Sequence, residues 1–144
     1  MMKLWCCQCQ ADVEARLTSG AEVYPHRPDL ANRPRWICDG CGNHVGTHHQ
    51  TSDPTKPLGS IPSPEIKKAR IAIHNLIDPA WKSGTVKRRA IYGHLSEMLG
   101  REYHTGEIRS IEEARRIFTV AREYLKERWA AEQQKKSKRR RRAA

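Results

Sequence analysis

The 144-residue sequence has no long apolar run and only one phenylalanine. No stretch approaches the roughly 18 apolar residues of a membrane-spanning helix, and the first residues lack the pattern of a secretory signal peptide. With a hydrophobic share of 38% and a mean hydropathy of −0.80, the chain can build only a thin core. We therefore expect a cytoplasmic protein without a membrane partner, stabilised in part by something other than apolar burial.

Cysteines are few, but four of the five form two CxxC pairs: Cys6 with Cys9, and Cys38 with Cys41. In a reducing compartment such pairs more often bind metal than form disulfides. A redox dithiol would be a single CxxC beside a βαβ pattern, which is absent. Four thiolates match the closed tetrahedral site of a structural zinc, so we expect one Zn²⁺ with no catalytic position open. Cys7 lies too close to Cys9 for a normal knuckle and is expected to be a packed or exposed thiol.

The first fifty residues show no helical period, and short strands are predicted near residues 13–17, 22–24, 35–38 and 44–47. Together with the cysteines they predict a zinc-ribbon-like module over residues 1–50. A segment rich in proline, serine and threonine follows at residues 51–62 and is interpreted as a linker.

Helical patterns fill residues 63–134. Ser63 and the following proline predict a helix start, and Pro79 predicts its end. A second helix is expected from about residue 85 to Gly100, with Met98 on its inner face. A third helix begins at the capping box formed by Ser110 and Glu113, and Trp129 is a candidate for its inner face. The expected fold is therefore α+β: a zinc-ribbon-like β module, a three-helix unit, and a disordered basic tail over residues 135–144.

Positive charge is concentrated in that tail. Seven cations in residues 135–142 supply most of the net charge of +11. Such a run predicts salt-sensitive binding to phosphates with little base discrimination. The helical unit adds two basic groups, with a solvated surface as the alternative interpretation. The predicted nucleic-acid-binding residues are Lys87, Arg88, Arg89, Arg115, Arg116, Lys135, Lys136, Lys138, Arg139, Arg140, Arg141 and Arg142.

A second polar site is also conceivable from His48, His74, Asp78 and His104. His74 and Asp78 are four residues apart and share a helix face. A histidine–carboxylate group can hold a catalytic metal or supply a general base. The alternative, which we favour, is that His74 braces Asp78 and that His48 anchors the linker, because a cluster without a motif is weak evidence for catalysis.

Residues 36–48, 57–59 and 69–81 match a known pattern, and the match continues through residues 24–30, 92–100 and 104–106. Over about residues 4–125 the chain resembles a zinc-finger-containing domain family of phages and prophages that has no assigned function. Thr105 departs slightly from that family's pattern, and Cys7 is an unusual addition. The resemblance implies an accessory protein acting inside a bacterial host, without implying a reaction.

The sequence as a whole predicts a small zinc-binding protein that associates with DNA or RNA, mainly through phosphate contacts, in a regulatory or DNA-handling role. One alternative is a module that binds a host protein, for example a transcription component. Another is a metal-dependent nuclease, although we expect no enzyme. No small-molecule substrate is inferred.

Overall fold

The computed structural model describes residues 1–143; residue 144, the last of the predicted tail, lies outside the described part. The fold is α+β, with a curled antiparallel sheet followed by a helical layer. The strands are β1 (Met2–Cys6), β2 (Ala11–Ser19), β3 (Pro34–Ile37) and β4 (His44–Val45). The helices are α1 (Gly20–Val23), α2 (Pro64–Lys82), α3 (Arg88–Leu99) and α4 (Ile111–Ala143), with 3₁₀ turns at Pro28–Leu30 and Thr105–Glu107.

The sheet is a meander in the order β1-β2-β3-β4, with every pair antiparallel. The long strand β2 changes partner along its length: residues 11–15 pair with β1 and residues 16–19 pair with β3. This change of partner lets the sheet curl around a small core that includes Ala15, Trp36 and Ile61. In a meander the first and third turns lie at the same end, so the two cysteine turns are brought together.

Two details of the predicted strands differ from the structure. Residues 22–24 do not form a strand, because α1 occupies this stretch and the N–H of Tyr24 bonds to the carbonyl of Gly20 at 2.8 Å. No strand is predicted at β1, where only one of the five residues is buried and the side chains give no clear alternation. The predicted strands near residues 13–17 and 35–38 correspond to β2 and β3, and the one near 44–47 is shortened to β4.

Helix α2 begins as predicted, because the Ser63 hydroxyl accepts a hydrogen bond from the N–H of Ile66 at 3.3 Å. Its predicted end at Pro79 is wrong, since the helix continues to Lys82. Proline removes only one backbone N–H, here within the last turn, where the loss is small. The indole of Trp81 donates to Asp78 at 3.0 Å and stabilises that turn.

Helix α3 ends as predicted at Gly100, which has a left-handed φ of 69°. It begins at Arg88, slightly later than expected. Ile91 and Leu95 occupy its inner face, whereas Met98 is 47% exposed and does not belong to the core.

The predicted disordered tail is wrong for the described residues, because α4 continues through residues 135–143. Alanine, glutamate, glutamine, lysine and arginine are strong helix formers, and neither glycine nor proline interrupts them. Cations at a helix C-terminus also interact favourably with the helix dipole. Tyr124 is the last buried residue of α4, so Trp129, at 60% exposure, is not part of the core. No helix in the described part of the chain is long and apolar enough to cross a membrane.

The end of the predicted linker packs against both halves of the fold. Ile61 is fully buried and pairs in parallel with Cys6 of β1. Gly59 lies so close to Gly106 that a Cβ on Gly59 would sit 2.1 Å from the Gly106 carbonyl oxygen. Only glycines permit this backbone crossing. The division into domains at residues 50, 62 and 134 stays a prediction.

Arg70 of α2 stabilises the backbone crossing at Gly59 and Gly106 through hydrogen bonds. Its guanidinium donates to the Ser60 hydroxyl at 2.7 Å, to the Ser60 carbonyl at 3.0 Å and to the Ile108 carbonyl at 2.7 Å. Only 8% of Arg70 is exposed, and burial lowers the pKa of its guanidinium. One side chain therefore connects the linker, α2 and the segment that precedes α4.

Replacing Arg70 with methionine should destabilise the protein by about 2–4 kcal/mol, because it leaves two buried carbonyls and a hydroxyl without their donor. Urea unfolding of the metal-loaded protein would measure this loss. The control is Lys68→Met, which removes an exposed cation from the same helix. An equal, small effect in both variants would contradict the role assigned to Arg70.

Candidate metal centre

The two CxxC turns have the same backbone construction. In the first, the N–H of Gln10 bonds to the carbonyl of Cys6 at 2.9 Å; in the second, the N–H of Gly42 bonds to the carbonyl of Cys38 at 2.7 Å. Gln10 and Gly42 both have a left-handed backbone, with φ values of 56° and 81°. Glycine adopts this conformation freely, whereas glutamine does so at some cost.

The four cysteine sulfurs of these turns form one cluster. All lie within 4.8 Å of one another, with Cys6 3.5 Å from Cys41 and Cys9 3.8 Å from Cys38. A tetrahedral thiolate site with metal–sulfur bonds of about 2.3 Å needs sulfur separations of about 3.8 Å. The cluster therefore fits one metal ion, and it is the only such group found among the residues that the structure describes.

Burial favours the protonated form of one of these thiols. It raises the pKa of Cys6 to about 12. Burial also opposes ionisation of Cys41, but the backbone N–H of Asn43 and the neighbouring thiols outweigh it and lower the pKa of Cys41. A metal ion must displace the remaining protons, so its binding releases protons and weakens in acid. A buried thiol with a raised pKa is also a poor nucleophile.

Neighbouring side chains hold the second turn in place. Arg16 donates two hydrogen bonds to Asp39, at 3.0 and 2.9 Å, and also bonds to Glu22. These bonds lower the pKa of Asp39. The side-chain amide of Asn43 donates to the sulfur of Cys41 at 3.3 Å, which would offset part of a thiolate's charge. No local motif in the sequence marks these supporting residues, because Arg16 reaches Asp39 only through the fold.

Cys7, the fifth cysteine, is a packed thiol. It is buried, and its sulfur lies 3.9 Å from the hydroxyl of Ser60. The backbone N–H of Cys7 donates to the carbonyl of Ile61 at 2.9 Å. Cys7 therefore faces the linker and is not a member of the four-sulfur cluster.

The second polar site suggested by sequence is only partly assembled. His74 lies 3.5 Å from Asp78, and His104 lies 3.5 Å from Glu102. His74 and His104 line a common cleft, which His48 does not. Asp78 also accepts the Trp81 indole bond, as expected for a structural carboxylate. Within residues 1–143, none of these four residues belongs to a group of three potential metal ligands.

The predicted nucleic-acid-binding residues fall into three separate places. Residues 87–89 lie at the start of α3, and Arg115 and Arg116 lie near the start of α4. Arg116 already makes a hydrogen bond within the fold, donating to the carbonyl of Met98 at 3.0 Å. The seven tail cations occupy the far end of α4. At about 1.5 Å per residue, the two ends of α4 are tens of ångströms apart, so they do not form one patch.

A family model described as a zinc-finger-containing domain matches residues 3–124. The matched region includes all four clustered cysteines and ends at Tyr124, the last buried residue of α4. No curated protein and no solved structure matches the chain.

Replacing Cys38 with serine should remove the metal and unfold the sheet half, because one of the four donors at the cluster is lost. Metal content per chain, measured by plasma mass spectrometry, is expected to fall from one to near zero. Cys7→Ser is the matched control, since it removes a buried thiol outside the cluster. Equal metal content in the two variants would contradict the assignment of the four ligands.

Proposed function

Since this chain belongs to the zinc-finger-containing domain family, we propose that its four clustered cysteines hold one structural Zn²⁺ and that the folded domain carries a nucleic-acid-binding arm. Four thiolates at tetrahedral spacing suit zinc better than harder cations. The four protein donors would fill its coordination sphere, so the ion would stabilise the fold and leave no position for substrate. The family description gives no sign of catalysis.

The observation that carries the nucleic-acid proposal is the outer part of α4, residues 125–143, here called the basic arm. It begins after the last buried residue of the helix, and its side chains are almost all exposed. At about 1.5 Å per residue it extends roughly 28 Å from Tyr124. Within the described residues, no ion pair involves any lysine or arginine of residues 135–142.

An exposed cationic helix is well suited to a polyanion. Its free lysine and arginine groups can replace counterions condensed on phosphates, which drives binding without reading the bases. The major groove of B-DNA also admits an α-helix. We therefore assign the main contact to the basic arm, with residues 87–89 and Arg115 as additional cations on the body.

We also propose where the protein acts and in what role. The resemblance to a phage and prophage family supports a regulatory or DNA-handling accessory role in the cytoplasm of a bacterial host. A metal-dependent nuclease has less support, because His48, His74, Asp78 and His104 do not meet as a metal-binding group. The exposed cations of the basic arm therefore support a protein that binds nucleic acid more than one that cleaves it.

A second candidate function is binding to a host protein, such as a transcription component. It is favoured by Trp129, which lies on the basic arm and is 60% exposed. Tryptophan and arginine are the residues most often found at the energetic centres of protein interfaces. Capture of one defined protein that survives nuclease treatment and is lost in Trp129→Ala would support this candidate.

Replacing the seven lysine and arginine residues of 135–142 with glutamine should greatly weaken DNA and RNA binding. Glutamine retains helix propensity, so the change removes charge and keeps the arm. Fluorescence anisotropy at several salt concentrations is expected to show the slope of log K against log[salt] reduced by up to about 6.

The control exchanges lysine and arginine within the same seven positions and so keeps their charge. It should bind as the native protein does. Native affinity and salt dependence in the glutamine variant would contradict the role of the arm and would direct attention to the body or to a protein partner.

A further inference from the structure

A basic cleft of about 340 Å³ opens between the sheet and the helices, away from the cysteine cluster. Its cations come from three elements: Arg35 from β3, Lys67 and Arg70 from α2, and Arg88 from α3. Among the described residues that line it there is no aspartate or glutamate. The wall therefore carries positive charge without an internal counter-charge.

Arg35 is the cation whose surroundings are most unusual. It is half-buried, and burial lowers the pKa of its guanidinium. Its Nε donates to Nδ1 of His44 at 2.7 Å, and among residues 1–143 it has no carboxylate partner. The terminal nitrogens of Arg35 make no hydrogen bond within the described residues.

His44 also lines the cleft, next to Arg35. Burial, with the nearby charges of Arg35 and Lys67, lowers the pKa of His44 to about 4. The ring is therefore neutral near pH 7 and accepts the Arg35 bond at Nδ1, which leaves the proton on Nε2. Asp78, which contacts His74 at the cleft wall, does not itself line the cleft.

Arg70 supplies a second buried cation. All its hydrogen bonds go to neutral groups of Ser60 and Ile108, so its charge has no direct anionic partner. Burying a cation without an opposite charge is costly. An anion in the cleft would offset this cost for Arg70 and Arg35 together.

The backbone makes room for the Arg35 guanidinium. A Cβ on Gly46 would lie 3.2 Å from Nη1 of Arg35 and 3.2 Å from Cδ1 of Leu58. Lys67 and Arg88 are exposed at the rim, and Arg88 lies 4.1 Å from the centre of the Tyr92 ring. The cleft thus combines inner and outer cations with an aromatic wall.

We propose that the basic cleft binds a phosphate monoester, either on a free mononucleotide or at the 5′ end of a nucleic-acid strand. Guanidinium groups present paired donors that match phosphate oxygens, and lysine adds a compact charge. The volume is at the lower end of the range of about 300–1,000 Å³ for small-ligand sites. This site requires neither the basic arm nor its binding to nucleic acid.

Calorimetric titration of the intact, metal-loaded protein with AMP tests the site. Saturable binding of one AMP per chain is expected, with none for adenosine, which lacks the phosphate. The double variant K67Q/R88Q should weaken AMP binding by about tenfold or more, because two charge-assisted contacts are lost. The single variant K67Q should weaken it in the same direction.

The matched control is K68Q/K126Q, which has the same net charge but changes two exposed lysines outside the cleft. It should alter AMP affinity by less than about twofold. Equal weakening in the two double variants would show a general charge effect and overturn the proposal.

Short oligonucleotides with either a 5′-phosphate or a 5′-hydroxyl distinguish the two sources of the group. A preference for the 5′-phosphate that K67Q/R88Q removes would identify a strand end as ligand. AMP binding without that preference would identify a free mononucleotide. If the protein neither binds AMP nor prefers the 5′-phosphate, the proposal is overturned, whatever the basic arm binds.

Discussion

The meeting of two cysteine turns at one end of the sheet is the constraint on which the sheet half depends. Its apolar core contains few side chains, chiefly Ala15, Trp36, Val45 and Ile61 beside the cysteines. Such a core provides little of the free energy that a curled four-stranded sheet requires. Four sulfurs held by one metal ion would join β1–β2 to β3–β4 and supply the missing stabilisation. Cys6 is fully buried and burial raises the pKa of its thiol, so a metal ion would have to displace the proton there.

The helical half is attached through a second, polar constraint. Arg70 binds the carbonyls of Ser60 and Ile108, while Gly59 and Gly106 allow the two backbones to cross in contact. This arrangement leaves a cationic cleft between sheet and helices instead of a continuous apolar interface. Three features are therefore spatially separate: the cysteine cluster that could hold a metal ion, the backbone crossing that joins the halves, and the cationic surfaces for which ligands are proposed.

Local patterns were enough to predict much of this fold. The CxxC spacing identified the four clustered cysteines, and capping residues located the starts of α2 and α4. The predicted helix end at Pro79 was wrong because proline is tolerated in a last turn, and the predicted disorder of the tail was wrong because its composition favours a helix. The cleft was not foreseen, since Arg35 and its neighbours are brought together only by tertiary packing. Binding of nucleic acid by the tail stays a prediction, because the contacts within the chain do not identify a partner.

The proposed zinc ion held by the sulfurs of Cys6, Cys9, Cys38 and Cys41 can be examined by X-ray absorption at the zinc edge of the purified protein. We expect one zinc per chain surrounded by four sulfur atoms at about 2.3 Å, with no nitrogen or oxygen neighbour. A first shell containing histidine nitrogen or water oxygen, or a well-folded protein without zinc, would contradict it.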